Sequence, residues 1–309
     1  MAQVVDAAVF SESAGLPGEG ALPPAESAIQ SEYSPAEGLW SQLGALPELL
    51  YWGLHAACLL GFVYRPGAVE LALLGLSYGV RIFAITGGYH RYFAHRAYRT
   101  SRAFQFALAA LGASAAQKGP LWWASRHRQH HKYADQPGKD IHSPREGFYH
   151  SHQGWIFNRR HDASLLDQIR DFSRFPELLW LNRLHFAPPL ALAAICGAIG
   201  GAGGVVWGFV ISTVLLWHST YTINSLAHRW GSRRYATRDD SRNNLWLALL
   251  TFGEGWHNNH HHFCASARQG FFWWEIDVTY YLLRALARLG LVWDLREPPA
   301  HVVRENAAS

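Results

Sequence analysis

The chain has 309 residues, 49% of them hydrophobic and only 16% charged, with 14 Trp, 13 Tyr and 16 Phe. So little charge excludes an ordinary water-soluble surface, and a mean hydropathy of −0.08 excludes a chain that lies wholly in lipid. The excess of 27 Lys and Arg over 23 Asp and Glu needs no nucleic acid to explain it, because basic residues beside anionic headgroups do the same work.

Residues 1–38 are rich in Ala, Ser, Glu, Pro and Gly and carry no Lys or Arg. They are expected to form a disordered tail without the basic region of a secretory signal, leaving 39–309 as one domain. Two apolar stretches follow, 46–63 and 68–87, separated by Tyr64-Arg65-Pro66-Gly67, each close to the roughly 20 residues that span a bilayer. The apolar run 103–116 has only 14 residues and reads as an interfacial or buried helix. A second pair of apolar stretches, 187–199 and 205–223, flanks the Gly-rich turn at 200–204. The expected fold is an all-α integral membrane protein with four transmembrane helices in two hairpins. Of the basic residues, 15 lie in 88–183 and 10 after Ser225, so those polar regions share one face, and their charge makes it cytoplasmic. Segments 88–185 and 225–309 thus form a cytosolic cap.

The chemistry is carried by histidine, with 18 in the chain. Cys58, Cys196 and Cys264 have no CxxC spacing, and no dinucleotide, P-loop, nucleophile-elbow or haem-attachment motif is present. H-R-Q-H-H at 127–131 and H-N-N-H-H-H at 257–262 each place His at i, i+3 and i+4, on one helix face. His127, His130 and His131 can therefore converge, as can His257, His260 and His261. His90 and His95 lie in H-R-Y-F-A-H, where the second span ends, and Asn224 and His228 lie in N-S-L-A-H, where the fourth ends. Crowded neutral imidazoles gain nothing structurally, while a dication gives each a partner. Nine exceed the four ligands of a structural zinc site, which points to two metals. Ligand type alone does not choose among Fe, Zn, Cu and Ni.

These boxes, together with G-E-G-W-H-N-N-H-H and S-H-Q-G-W, resemble the membrane fatty acyl desaturases of the stearoyl-CoA (Δ9) type, in a bacterial-like form, over about residues 87–298. The resemblance implies two irons held by His90, His95, His127, His130, His131, His228, His257, His260 and His261, with a water anchored by Asn224. It implies O2-dependent insertion of a cis double bond, at Δ9, into a saturated acyl chain carried on CoA or in a membrane lipid. Gln117, Trp123 and Thr220 match positions shaping the acyl tunnel, and Arg159 and Arg160 match a basic pair on the CoA phosphates. Glu254 is expected to orient a ligand imidazole, and Leu74 or Tyr78 to form the tunnel floor. Lys118 and Ser125-Arg126 depart from the acyl-CoA pattern, as do His262 and Cys264 after the last box. His142, His150, His152 and His161 are read as surface residues or supports of the ligands.

With no flavin, haem or iron–sulfur motif, electrons are expected from a separate carrier: a ferredoxin, a rubredoxin-like protein, or cytochrome b5 with its reductase. A di-iron hydroxylase of alkanes or lipids would use similar clusters, but box spacing disfavours it. A metal transporter would hold its ions near the midplane, where only His55 and His218 fall.

Overall fold

The computed structural model describes residues 45–305; the tail expected at 1–38 lies outside them. Leu46–Ala57 is an α-helix that tightens into a 3₁₀ turn over Cys58–Phe62. After the turn, the Gly67 N–H donates to the Glu70 carboxylate at 2.9 Å, satisfying a donor at the start of helix Ala68–Phe83. That helix continues as eleven π-helical residues, Ala84–Ala94. The second span was expected to end at 87, and the helix in fact carries His90 inside it.

The π segment is the hub of the packed core. Tyr89 and Phe93 are fully buried with Leu108, Leu121, Ile169, Leu178, Leu216 and Leu283. Helix Arg102–Ala113, the short apolar run, lies against it so closely that a Cβ on Gly112 would come 2.2 Å from the Tyr89 ring. Helix Pro120–Tyr133 starts on a proline, which needs no N–H partner at the first position, and Pro176–Arg183 packs beside it.

The chain then enters Ala187–Gly204, a π-helical stretch Val205–Ile211 and helix Ser212–Ser225. Gly201 has φ 59° and ψ −147°, and the chain folds back there. A Cβ on Gly208 would meet Cys196 Sγ at 2.8 Å, whereas twelve residues of unbroken helix would separate the two by about 18 Å. The Trp207 indole donates to the Tyr64 carbonyl at 2.6 Å, and Gly200 and Gly203 abut Glu70. The two turns therefore sit at one end of the helices. The buried Arg81 ties the second helix to the last, donating to Ser212 Oγ at 2.5 Å and Thr213 Oγ1 at 2.7 Å.

Among the described residues, two segments are long and apolar enough to cross a membrane, Ala68–Ala94 and Ala187–Ser225, with Leu46–Phe62 a shorter apolar helix. Only 33% and 17% of their most apolar windows are buried inside the protein. A core helix of a soluble protein hides most of its apolar surface, so these helices expect an apolar surrounding.

After Ser225 come the short helices Leu245–Leu250 and His257–His262, then Val278–Arg288. Among the described residues, Arg99–Thr100 pairs antiparallel with Val292–Trp293, and isolated bridges join Ser232 to Asn243 and Asn243 to Trp256.

Candidate metal centre

Local geometry explains each histidine spacing. In the π segment the turn closes on the fifth residue back, and the His95 N–H donates to the His90 carbonyl at 3.1 Å. HxxxxH is thus one π turn, which places both imidazoles on one face. In Pro120–Tyr133 and His257–His262 the i, i+3, i+4 spacing does the same on α-helical turns. His228 follows the end of Ser212–Ser225.

The nine histidines separate into two groups. Ligand nitrogens of His90, His95, His127, His131 and His260 lie within 4.8 Å of one another, and so do those of His130, His228, His257 and His261. Nε2 atoms approach at 3.0 Å for His90–His260, 2.9 Å for His95–His127, 2.9 Å for His131–His260 and 3.0 Å for His228–His257. A divalent ion bound at about 2.1 Å sets right-angled nitrogens about 3.0 Å apart, so the spacing fits ligands around a shared ion.

Behind the rings stand carboxylates. His130 Nδ1 meets Asp140 at 3.0 Å, His228 Nδ1 meets Asp135 at 3.0 Å and His261 Nδ1 meets Asp239 at 2.8 Å. His90 Nδ1 lies 2.5 Å from Glu254. Each carboxylate accepts a hydrogen bond from Nδ1–H, which keeps the proton on Nδ1 and aims the Nε2 lone pair inward. The buried His261 Nε2 has no hydrogen-bond partner, an orphaned acceptor that a cation would satisfy. Glu254 is itself buried, held by Arg91 at 3.1 Å and by the Gln269 amide at 3.0 Å.

Electrostatics agree with a cation-ready state. Burial, then neighbouring imidazoles, hold His95, His127, His131, His257 and His260 well below the usual histidine range, and His261 is lowered despite Asp239. Neutral rings keep their lone pairs. Burial alone would raise Asp140 and Asp239, but His130 and His261 respectively hold them low. His130 runs the other way: burial pulls it down, and Asp140 raises it further. Nine imidazoles, four of them backed by carboxylates and with no thiolate among them, suit borderline divalent metals.

A cavity of about 770 Å³ reaches this centre, lined there by His90, His127, His257, Asn224 and Glu254. Gln117, Trp123 and Thr220 form one chain along its wall: the Trp123 indole donates to Gln117 at 3.4 Å, and the Gln117 amide donates to Thr220 at 2.9 Å. Arg159 lines the cavity; Arg160 does not, because the 3₁₀ turn Arg159–His161 points successive side chains apart. Leu74 and Tyr78 also lie off the lining, whose residues on that helix are Ile82, Ile85, Thr86 and His90. The expected floor assumed a regular α-helix, and the π turns shift which residues face inward. Tyr78 instead donates to Ser219 and, at 2.6 Å, to the Leu250 carbonyl.

Residues 68–301 match the family model described as fatty acid desaturase. The chain belongs to the fatty acid desaturase family. It is 36% identical over 270 residues to the sn-2 palmitoyl-lipid 9-desaturase of Nostoc sp. (strain 36), covering 86% of this chain and 95% of the relative. It is 37% identical over 266 residues to the Delta-9 acyl-lipid desaturase 1 of Arabidopsis thaliana, covering 85% and 86%. It is 36% identical over 265 residues to the Acyl-CoA C20 Delta5-desaturase of Anemone leveillei, covering 84% of each.

Sequence reading of this desaturase missed Asp135, Asp140, Asp239 and Gln269. Asp135 and Asp140 stand four and nine residues after His131 in Y-A-D-Q-P-G-K-D, and acids near a histidine box are a usable signal for partners of Nδ1. Asp239, 22 residues before His261, and Gln269, an amide nine residues after His260, give no such signal. His142 lies 3.7 Å from Asp140 and packs on His130. His150 pairs with Glu146, and His152 bonds to His218. His161 lines the cavity. His262 turns away, stacking on Tyr235.

Proposed function

We propose that this desaturase uses a di-iron centre and O2 to insert a cis double bond, at Δ9, into a saturated acyl chain. The observation that carries the reading is the division of nine histidines into groups of five and four beside an acyl-sized cavity. The first group would hold one iron and the second, with a water anchored by Asn224, the other. Bound there, iron would supply from O2 an oxidant able to take hydrogen atoms from unactivated methylenes, which redox-inert zinc cannot do.

The protein's own residues would do the rest. Asp135, Asp140, Asp239 and Glu254 fix the ring orientations and keep protons off the ligand nitrogens. The chain Trp123–Gln117–Thr220 stiffens the cavity wall beside His127, setting which methylenes stop at the metals. Ile82 and Ile85 exclude water from the chain's far end. Electrons would come from a ferredoxin, rubredoxin-like protein or cytochrome b5 docking from outside.

The chain would cross the membrane four times, in two hairpins with the centre on the cytoplasmic face, a reading supported by the fold-back at Gly201, the shared end of both turns and the basic excess beyond the other ends. Position Δ9 rests on the names of the Nostoc and Arabidopsis relatives. Gas chromatography–mass spectrometry of fatty acids from cells expressing the protein or His260→Ala, with double bonds located by derivatisation, tests the reading. A Δ9 monoene that is absent with His260→Ala is expected. A Δ5 product would move the position, hydroxylated lipids would replace desaturation by hydroxylation, and no change with an electron donor supplied would refute the reading.

A further inference from the structure

The box H-N-N-H-H-H at 257–262 holds two asparagines that stand outside both groups of ligand nitrogens. Its helix has six residues, too few to keep its shape unaided, yet it carries His260 of the group of five together with His257 and His261 of the group of four. The first turn of a helix leaves N–H groups without partners, and the side chain at the cap position usually accepts those of the second and third residues. Trp256 occupies the cap position and makes no such bond. Asn243, 15 residues before Asn258, does so from outside the helix: its Oδ1 accepts the Asn258 N–H at 3.0 Å and the Asn259 N–H at 3.1 Å. Its NH2 donates to Asn259 Oδ1 at 2.7 Å. The Asn243 backbone is anchored in turn, exchanging hydrogen bonds with Ser232 at 2.7 and 2.9 Å. The two box asparagines complete the tie. Asn258 Oδ1 accepts the N–H groups of Arg234 and Tyr235, both at 2.8 Å, and the Asn259 NH2 donates to the Gln269 carbonyl and the Glu275 carboxylate, both at 2.9 Å. Asn243 is 4% exposed, and Asn258 and Asn259 are fully buried, so a partner lost here is not replaced by bulk water.

We infer that Asn243 is the positioning residue that holds the last histidine box in place for both metal groups, acting through Asn258 and Asn259. This rests on the reading of the nine histidines as a two-metal centre. An asparagine suits the position because one amide offers an acceptor to two N–H groups and a donor to the Asn259 side-chain carbonyl. Aspartate keeps the acceptor and loses the donor; leucine keeps the approximate size and loses both. With both gone, two buried N–H groups at the helix start have no acceptor, and the helix relieves that by shifting. A shift carries all three imidazoles with it, His260 away from one group and His257 and His261 away from the other. Asp239 bonds to a single ligand, His261, whereas the loss of Asn243 reaches both ions.

The test uses the purified full-length protein in detergent, stripped of metal and titrated with Fe²⁺ under argon against a competing chelator, with bound iron counted by mass spectrometry on the folded fraction. Asn243→Leu is expected to weaken the binding of both ions about 10- to 100-fold, and Asn243→Asp, with the acceptor restored, to recover part of that loss. Unchanged iron affinity with a lowered melting temperature, the mark of a merely structural residue, would overturn the inference. So would a loss confined to one ion, or equal losses in the two variants. If Asn243→Leu does not accumulate, hydrogen–deuterium exchange of the metal-free, unsubstituted protein decides: slow exchange at the Asn258 and Asn259 N–H groups is expected, and exchange at the rate of the unfolded chain would overturn the cap. Failure of the unsubstituted protein to take up two ions would overturn the two-metal reading and the inference with it. Exchange in the metal-free protein bears on the cap alone, which keeps the two failures apart.

Discussion

Asp239→Asn is the most direct probe of how the carboxylates prepare the metal centre. Asp239 Oδ2 lies 2.8 Å from His261 Nδ1, while Oδ1 accepts the Ser241 N–H at 3.0 Å. An asparagine keeps the size and can keep the bond to Ser241. Its NH2, however, is a donor facing His261 Nδ1, and the imidazole answers by moving its proton to Nε2, the atom turned toward the other ligands. The pair is nearly excluded from solvent, with side chains 2% and 9% exposed, so little screening applies. Removing such a partner of a ligand imidazole weakens metal binding about 10- to 100-fold, or about 1.4–2.8 kcal/mol. That matches the roughly 1.5–3 kcal/mol of a hydrogen bond to a charged group. The assay is chelator competition on the purified protein in detergent, with bound metal read by mass spectrometry. The exposed Asp167→Asn serves as a control for handling. Loss should fall on one of two metals, since His261 belongs to the group of four. Unchanged affinity and stoichiometry would refute the idea that Asp239 sets the His261 tautomer.

Gly112→Val should destabilise the protein by about 1–3 kcal/mol through overpacking, because its Cβ would meet Tyr89 at 2.2 Å; an unchanged melting temperature in detergent would argue against that packing. Ile82→Ala opens space in the cavity lining, so the product profile should shift to longer chains, and an unaltered profile would place the floor elsewhere. His161 is lowered to about 4, first by burial and then by Arg126. Its folded value lies below the unfolded one of about 6.5, so unfolding takes up a proton and stability falls as pH drops from about 6.5 toward 4. His161→Gln should make melting temperature fall less over that window, and identical pH profiles would remove His161 from the account.

The histidine boxes were legible because their spacing is a local property: an i, i+3, i+4 set shares a helix face wherever the helix lies. The apolar segments were legible for a similar reason, since transfer to lipid depends on composition along one stretch of chain. The order of the boxes could not say which histidines share an ion. The structure groups the His130 nitrogen with those of His228, His257 and His261, because on their helix His130 lies about 100° round from His131 and about 60° from His127. The spacing of His90 and His95 gave no reason for their pairing until the π turn supplied one. Leu74 and Tyr78, expected at the tunnel floor, and Arg160, expected at CoA phosphates, stand off the cavity lining; such expectations assume one helical phase, and the π segment and the 3₁₀ turn both change it. Asp239 escaped notice because 22 residues separate it from His261, and Gln269, nine residues after His260, because an amide is not the acid expected behind a ligand imidazole. Sequence thus determined the ligand types, the apolar segments and the family. Tertiary structure alone decided how the ligands divide, which acids orient them and what lines the cavity, because each depends on contacts between residues that the chain itself keeps far apart.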